Sequence, residues 1–160
     1  MVVSAPMSRQ LPLSLRVLSK EDVRTQFAAL CWRVRGDRVQ VLLVTSRGTG
    51  RWITPKGWPE DGMTPADAAM REAWEEAGVI GRVQDQCLGI YSYDKVIEGK
   101  PSLPCLVMVY PVRVKALAGT YPEEAERRRK WFSPRKAAQK VAEPELARIL
   151  QDFDPRLLRS

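Results

Sequence analysis

The chain has 160 residues, 44% of them hydrophobic, enough to build one domain with a full core. Its net charge of +7 and sequence pI near 9.6 imply an anionic partner, whether polyphosphate, nucleic acid or acidic lipid. There is no histidine, which excludes Ser-His and Cys-His nucleophilic systems and most zinc sites; chemistry must rest on carboxylates, a metal ion and water.

Residues 1–21 carry Pro6, Arg9, Pro12, Arg16 and Lys20 with no continuous apolar stretch. They read as an irregular arm and not as a secretory signal, ahead of a single domain over 22–158. No apolar run reaches the roughly 18 residues of a membrane span, so no membrane segment is expected. Val23 to Val34 predicts a long strand, and Arg38 to Thr45 its hairpin partner across the turn Arg35-Gly36-Asp37. Arg51 to Thr54 follows as a short strand, then a Pro-Lys-Gly-Trp-Pro loop. Beyond a central helix, Cys87 to Asp94 and Ser102 to Lys115 predict two more strands joined by a loop containing Gly99. A basic run leads into a strand ending at Trp131-Phe132. Ser133-Pro134 and Glu143-Pro144 are start signals for two closing helices, to about Ala142 and about Phe153. Tyr91 and Tyr93 share a strand face and line either core or pocket. Together these elements predict an α+β domain with a mixed sheet. Cys31, Cys87 and Cys105 are odd in number, far apart and set in apolar stretches; they predict reduced, buried thiols in a cytoplasmic protein.

Residues 57–79, GWPEDGMTPADAAMREAWEEAGV, carry most of the functional information. Thr64 suits an N-cap, Pro65 the first helical position and Gly78 the left-handed C-terminal residue, which predicts a helix over 65–77. Ala68, Ala69 and Ala73 form a small face fit to lie against a sheet. Glu72, Glu75 and Glu76 stand at i, i+3 and i+4, where like charges repel by a few tenths of a kcal/mol per pair. A divalent cation turns that repulsion into binding, and all-oxygen ligation favours Mg²⁺, Mn²⁺ or Ca²⁺.

The segment resembles the Nudix box, G-x5-E-x7-R-E-U-x-E-E-x-G-U, where U is a bulky apolar residue. Gly57, Arg71, Glu72, Glu75, Glu76, Gly78 and Val79 match at the required spacing. Met63 stands where the first Glu belongs, and Ala73 is smaller than the usual apolar residue. Without Gly57 and the preceding Trp52 to Lys56, the same carboxylates would read as a solvated helix face. The resemblance covers roughly residues 22–150. It implies the Nudix fold, a mixed sheet sandwiched between helices, and hydrolysis of a diphosphate bond with Mg²⁺ or Mn²⁺ as cofactor. It implies Glu72, Glu75, Glu76 and the Gly57 carbonyl as metal ligands, and Glu72, Glu75 and Arg71 as the catalytic set. Arg71 would orient carboxylates by a bidentate contact. The general base is one of these Glu residues or one outside the helix.

Within the family, Leu43 to Ile53, Tyr93 to Lys95, Glu126 to Phe132 and the helix itself are similar to diphosphoinositol polyphosphate phosphohydrolases. Such substrates need several cations, and Arg24, Arg47, Arg51, Lys56, Lys95, Lys100, Arg129 and Lys130 are the candidates. Pro55-Lys56-Gly57-Trp58 departs from the Pro-Gly-Gly-Gly usual in that group and leaves a dinucleoside polyphosphate open. The partner is thus an anionic polyphosphate small molecule. Two alternatives are a nucleotide-sensing module without turnover and an RNA 5′-end pyrophosphohydrolase. Nucleic acid is not favoured, because the aromatic residues are not interleaved with the basic run.

Overall fold

The computed structural model describes residues 24–159, and its long first strand is the axis of the fold. The arm expected over residues 1–21 lies outside the described residues. Strand β1 (Arg24–Arg35) pairs antiparallel with β2 (Arg38–Thr45) through the two-residue turn Gly36-Asp37, where Gly36 has φ 66. On its other side β1 runs parallel to β7 (Leu103–Leu117) from Arg24↔Cys105 to Trp32↔Arg113. β3 (Trp52–Ile53) and β8 (Arg129–Phe132) pair with β2; β4 (Lys56–Gly57) pairs with β1. β5 (Val79–Val83) and β6 (Gly89–Lys95) pair with β7, all antiparallel. The sheet is therefore mixed, as expected.

Alternation along β1 creates two cores. Phe27, Ala29 and Cys31 face helix α1 (Pro65–Ala77), together with Leu42, Val44, Tyr110 and Val112. Ala28, Leu30 and Trp32 face α2 (Pro134–Lys140) and α3 (Pro144–Gln151), with Val107, Val109, Leu146 and Leu150. Among the described residues, no helix is long and apolar enough to cross a membrane.

The helix limits follow from local chemistry. Thr64 Oγ1 accepts from Asp67 N at 3.1 Å, and Ser133 Oγ accepts from Lys136 N at 3.1 Å. Gly78 ends α1 at φ 67 and donates its backbone N–H to Ala73 and Trp74. Ala68, Ala69, Ala73 and Ala77 are fully or almost fully buried against the sheet. Such small side chains let the helix backbone approach closely, which carries Glu72 and Glu76 down onto β4.

Two strands escape sequence reading. β4 lies inside what reads as a Pro/Gly loop and exists only because Phe27 and Ala28 pair with it. β5 is short and broken by a register shift between Ile80 and Gly81. The thiol expectation needs correcting at one position. Cys31 and Cys105 are buried, but Cys87 is exposed, because it lies in the β5–β6 loop and not at the start of a strand.

A Cβ at Gly78 would require an unfavourable left-handed backbone and would run into the Tyr121 ring and Arg129 Nη1. Gly78→Ala is expected to destabilise the protein by at least about 1–2 kcal/mol. Urea unfolding checks this, and an unchanged midpoint would refute the described cap.

Candidate active site

A cleft of about 520 Å³ lies between α1, β4 and the 121–127 segment. Glu72 and Glu76 line it from the helix, one turn apart. Gly57 lies directly under Glu72, where a Cβ would overlap the carboxylate, and the neighbouring Lys56 N–H donates to Glu76 Oε1 at 3.4 Å. Burial, and then the charge of Glu75, push the Glu72 carboxyl above its usual range. Glu76 is only 5% exposed, and burial raises its pKa to about 8 against the pull of Arg127. The charges of Glu72 and Glu123 add to the rise. Two carboxylates desolvated together beside a glycine that leaves its backbone open are a fit for a hard divalent cation.

The helix sends Glu75 elsewhere. At about 100° per residue, Glu75 and Glu76 flank Glu72 on opposite sides. The cleft lies on the Glu76 side, and Glu75 does not line it. Glu75 Oε2 instead accepts from Arg71 Nε at 2.7 Å. Arg71 makes no bidentate contact with one carboxylate; its Nη1 pairs with Glu60 in the loop before the helix. Among the described residues, no three acidic, His or Cys side chains are gathered closely enough to enclose a metal ion. Glu72, Glu76 and the Gly57 backbone are the groups brought together here.

Of the candidate cations, Arg47, Lys56 and Lys95 line the cleft. Lys56 Nζ sits 5.0 Å from the Tyr93 ring centroid, and burial lowers its pKa. Arg47 Nη1 pairs with Glu126 at 2.8 Å. Arg24, Arg51, Lys100, Arg129 and Lys130 do not line it. Arg129 donates to the Ala77 carbonyl at 2.8 Å and lies over Tyr121, so it closes the end of α1. Lys130 alternates to the opposite sheet face, near Phe132. Tyr93 lines the cleft and donates to Gln26 Oε1 at 2.6 Å, whereas Tyr91 is core. Both expected fates of this tyrosine pair thus occur.

Besides Glu60, two charged cleft residues stand outside the candidates that the sequence offers. Arg127 is buried: its Nε donates to Glu123 Oε1 at 2.8 Å, its Nη1 to the Thr45 carbonyl at 3.0 Å, and its Nη2 lies 3.5 Å from Glu76 Oε2. Glu123 is held as well by its backbone N–H to the Glu75 carbonyl at 2.9 Å. Their i,i+4 spacing in Glu123 to Arg127 was the available signal.

A family model of the NUDIX domain matches residues 24–153. The chain belongs to the Nudix family. It is 36% identical to Nudix hydrolase 16, mitochondrial, of Arabidopsis thaliana over 112 residues, 68% of this chain and 62% of that protein. It is 30% identical over 123 residues to human diphosphoinositol polyphosphate phosphohydrolase 3-alpha, covering 76% of this chain and 71% of that one. The chain spans 60% to 65% of the length of the Arabidopsis relatives it matches. A crystal structure of a C. elegans Ap4A hydrolase superposes with a TM-score of 0.62 at 19% identity, covering 85% of this chain and 99% of that chain. At that identity the likeness concerns the fold: a Nudix sheet between helices.

The raised Glu76 pKa makes stability depend on pH. Between the ordinary value of 4.5 and about 8, the folded state binds more protons at Glu76 than the unfolded state does. Its contribution is complete below 4.5 and is lost as pH rises toward 8. In metal-free buffer, Tm is expected to fall over this window by more in the wild type than in Glu76→Gln. Parallel pH profiles of the two proteins, followed by calorimetry, would contradict the burial described.

Proposed function

We propose that this Nudix protein is a Mg²⁺- or Mn²⁺-dependent pyrophosphohydrolase whose substrate is a nucleotide with a polyphosphate chain, of the dinucleoside polyphosphate type. This rests on one juxtaposition: the half-buried Glu72 carboxylate over Gly57 and the buried Glu76 carboxylate beside it, in a cleft also lined by Lys56 and Lys95. Glu72, Glu76 and the Gly57 carbonyl would hold the cation, which supplies charge neutralisation for the diphosphate oxygens. Lys56 and Lys95 bind phosphate as point charges. Glu123 faces the same cleft and is the candidate to accept the proton of the attacking water. As water adds to phosphorus, the bridging P–O bond breaks and two phosphate-terminated products leave. Arg127 fixes the orientation of both Glu123 and Glu76.

The charge of the cleft supports a nucleotide over an inositol polyphosphate. Four lining cations, Arg47, Lys56, Lys95 and Arg127, face four carboxylates, Glu60, Glu72, Glu76 and Glu123. Arg47 and Arg127 are already ion-paired, while Lys56 and Lys95 form no ion pair among the described residues. That suits one short phosphate chain and not a ring of phosphates. Trp58, 40% exposed on the cleft wall, offers a face for a base. The human relative's name points to diphosphoinositol polyphosphates, so both classes belong in the test.

Phosphate release is measured with Mg²⁺ and Mn²⁺ from dinucleoside polyphosphates, diphosphoinositol phosphates, ADP-ribose, nucleoside triphosphates and 5′-triphosphorylated RNA. The expected result is turnover of the dinucleoside polyphosphates, reduced by a factor of 100 or more in Glu76→Gln. Trp58→Ala should raise their KM about tenfold. Turnover of diphosphoinositol phosphates alone would overturn the substrate class. Binding without turnover of anything would replace the hydrolase with a sensor.

A further inference from the structure

The box position normally filled by its first Glu holds Met63, yet the structure has a carboxylate serving the same stretch of chain. Met63 N donates to the Glu60 carbonyl at 3.1 Å, which closes a four-residue turn over Glu60-Asp61-Gly62-Met63. Gly62 has φ 83 at the third position, the geometry of a type II turn. Such a turn brings its first and fourth residues within about 7 Å. Glu60 therefore stands beside Met63 in space, although three residues ahead of it in sequence. Its carboxylate pairs with Arg71 Nη1, while Arg71 Nε holds Glu75 at 2.7 Å.

We propose that Glu60 is the positioning residue of the metal loop, taking across this turn the place that Met63 leaves without a charge. The proposal rests on the assignment of Glu72, Glu76 and Gly57 as the cation site. The loop leaves β4 at Gly57 and reaches the helix cap at Thr64. Between Trp58 and Met63, among the described residues, the Glu60–Arg71 pair is its only ion pair or side-chain hydrogen bond. Arg71 lies one residue before Glu72, so the pair clamps the loop to the turn of helix that carries the cleft carboxylates. Gly57 itself is held by its pairing with β1, so losing the clamp loosens the loop that follows it and the turn of helix bearing Glu72.

Magnitudes separate this role from a structural one. Glu60 and Arg71 are 57% and 41% exposed, and an ion pair so open to solvent adds little to stability. Outer partners that orient metal ligands are worth about 10–100-fold in affinity or activity. Glu60 should matter much to the metal and little to the fold.

Mn²⁺ affinity by titration calorimetry, Mg²⁺ half-saturation of turnover, and metal-free Tm are measured on the full chain. Glu60→Gln is expected to weaken Mn²⁺ about tenfold and to raise the Mg²⁺ half-saturation equally, with Tm within about 2 °C of wild type. Adding Met63→Glu should restore both metal readouts to within about twofold of wild type, because a carboxylate at either end of the turn reaches Arg71. Adding Met63→Gln should restore neither. Wild-type affinity in Glu60→Gln, or a folded Glu60→Gln/Met63→Glu no better than the single variant, would overturn the proposal. A wild type that binds Mn²⁺ but turns over no substrate defeats the hydrolase reading, and the affinities alone then decide this one.

Discussion

The burial of one carboxylate, Glu76, shapes this molecule. Glu76 lies in the sheet-facing part of the cleft, where water cannot solvate its charge, and the fold answers with one buried guanidinium. Arg127 reaches Glu76, Glu123 and the Thr45 carbonyl together, so it ties helix α1, the 121–127 segment and the end of β2 into one unit. Its positive charge does not outweigh the cost of burying Glu76 beside two other carboxylates, and Glu76 stays a weak acid. Two carboxyl groups held close together with their hydration reduced are an arrangement that a divalent cation would relieve.

The alanine face of α1 makes this arrangement possible. Bulkier residues at 68, 69 and 73 would hold the helix away from the sheet, and Glu72 could not reach Gly57. Ala73, a departure from the family pattern, sits completely buried in that contact. The second departure, Met63, is matched by Glu60 across a turn. Both departures are local changes that leave the floor of the cleft intact.

The protein's positive charge lies mainly outside the cleft. Cation and carboxylate balance along its walls, and several basic residues cover aromatic rings elsewhere: Arg33 over Trp131, Arg113 over Trp32, Arg128 over Trp52. Those contacts occupy cations that a charge count alone assigns to ligand binding. Net charge describes the whole surface and not one site.

The sequence alone determined the central helix, both its caps, the long strands and the family. Each of these is written in neighbouring residues: a Thr-Pro start, a Gly stop, alternation of apolar side chains, and the fixed spacing of a motif. It also marked Glu72, Glu76 and Gly57, because i,i+4 spacing places two side chains on one face wherever the helix goes. Only the tertiary structure decided which side of the helix meets the cleft, and so separated Glu75 from Glu76. It alone paired β4 with β1, brought Glu123 and Arg127 some fifty residues back to the helix, and sent Lys130 to the far face of the sheet. Long-range pairings have no local signature, because the partner that fixes a side chain's direction is chosen by the packing of the whole sheet.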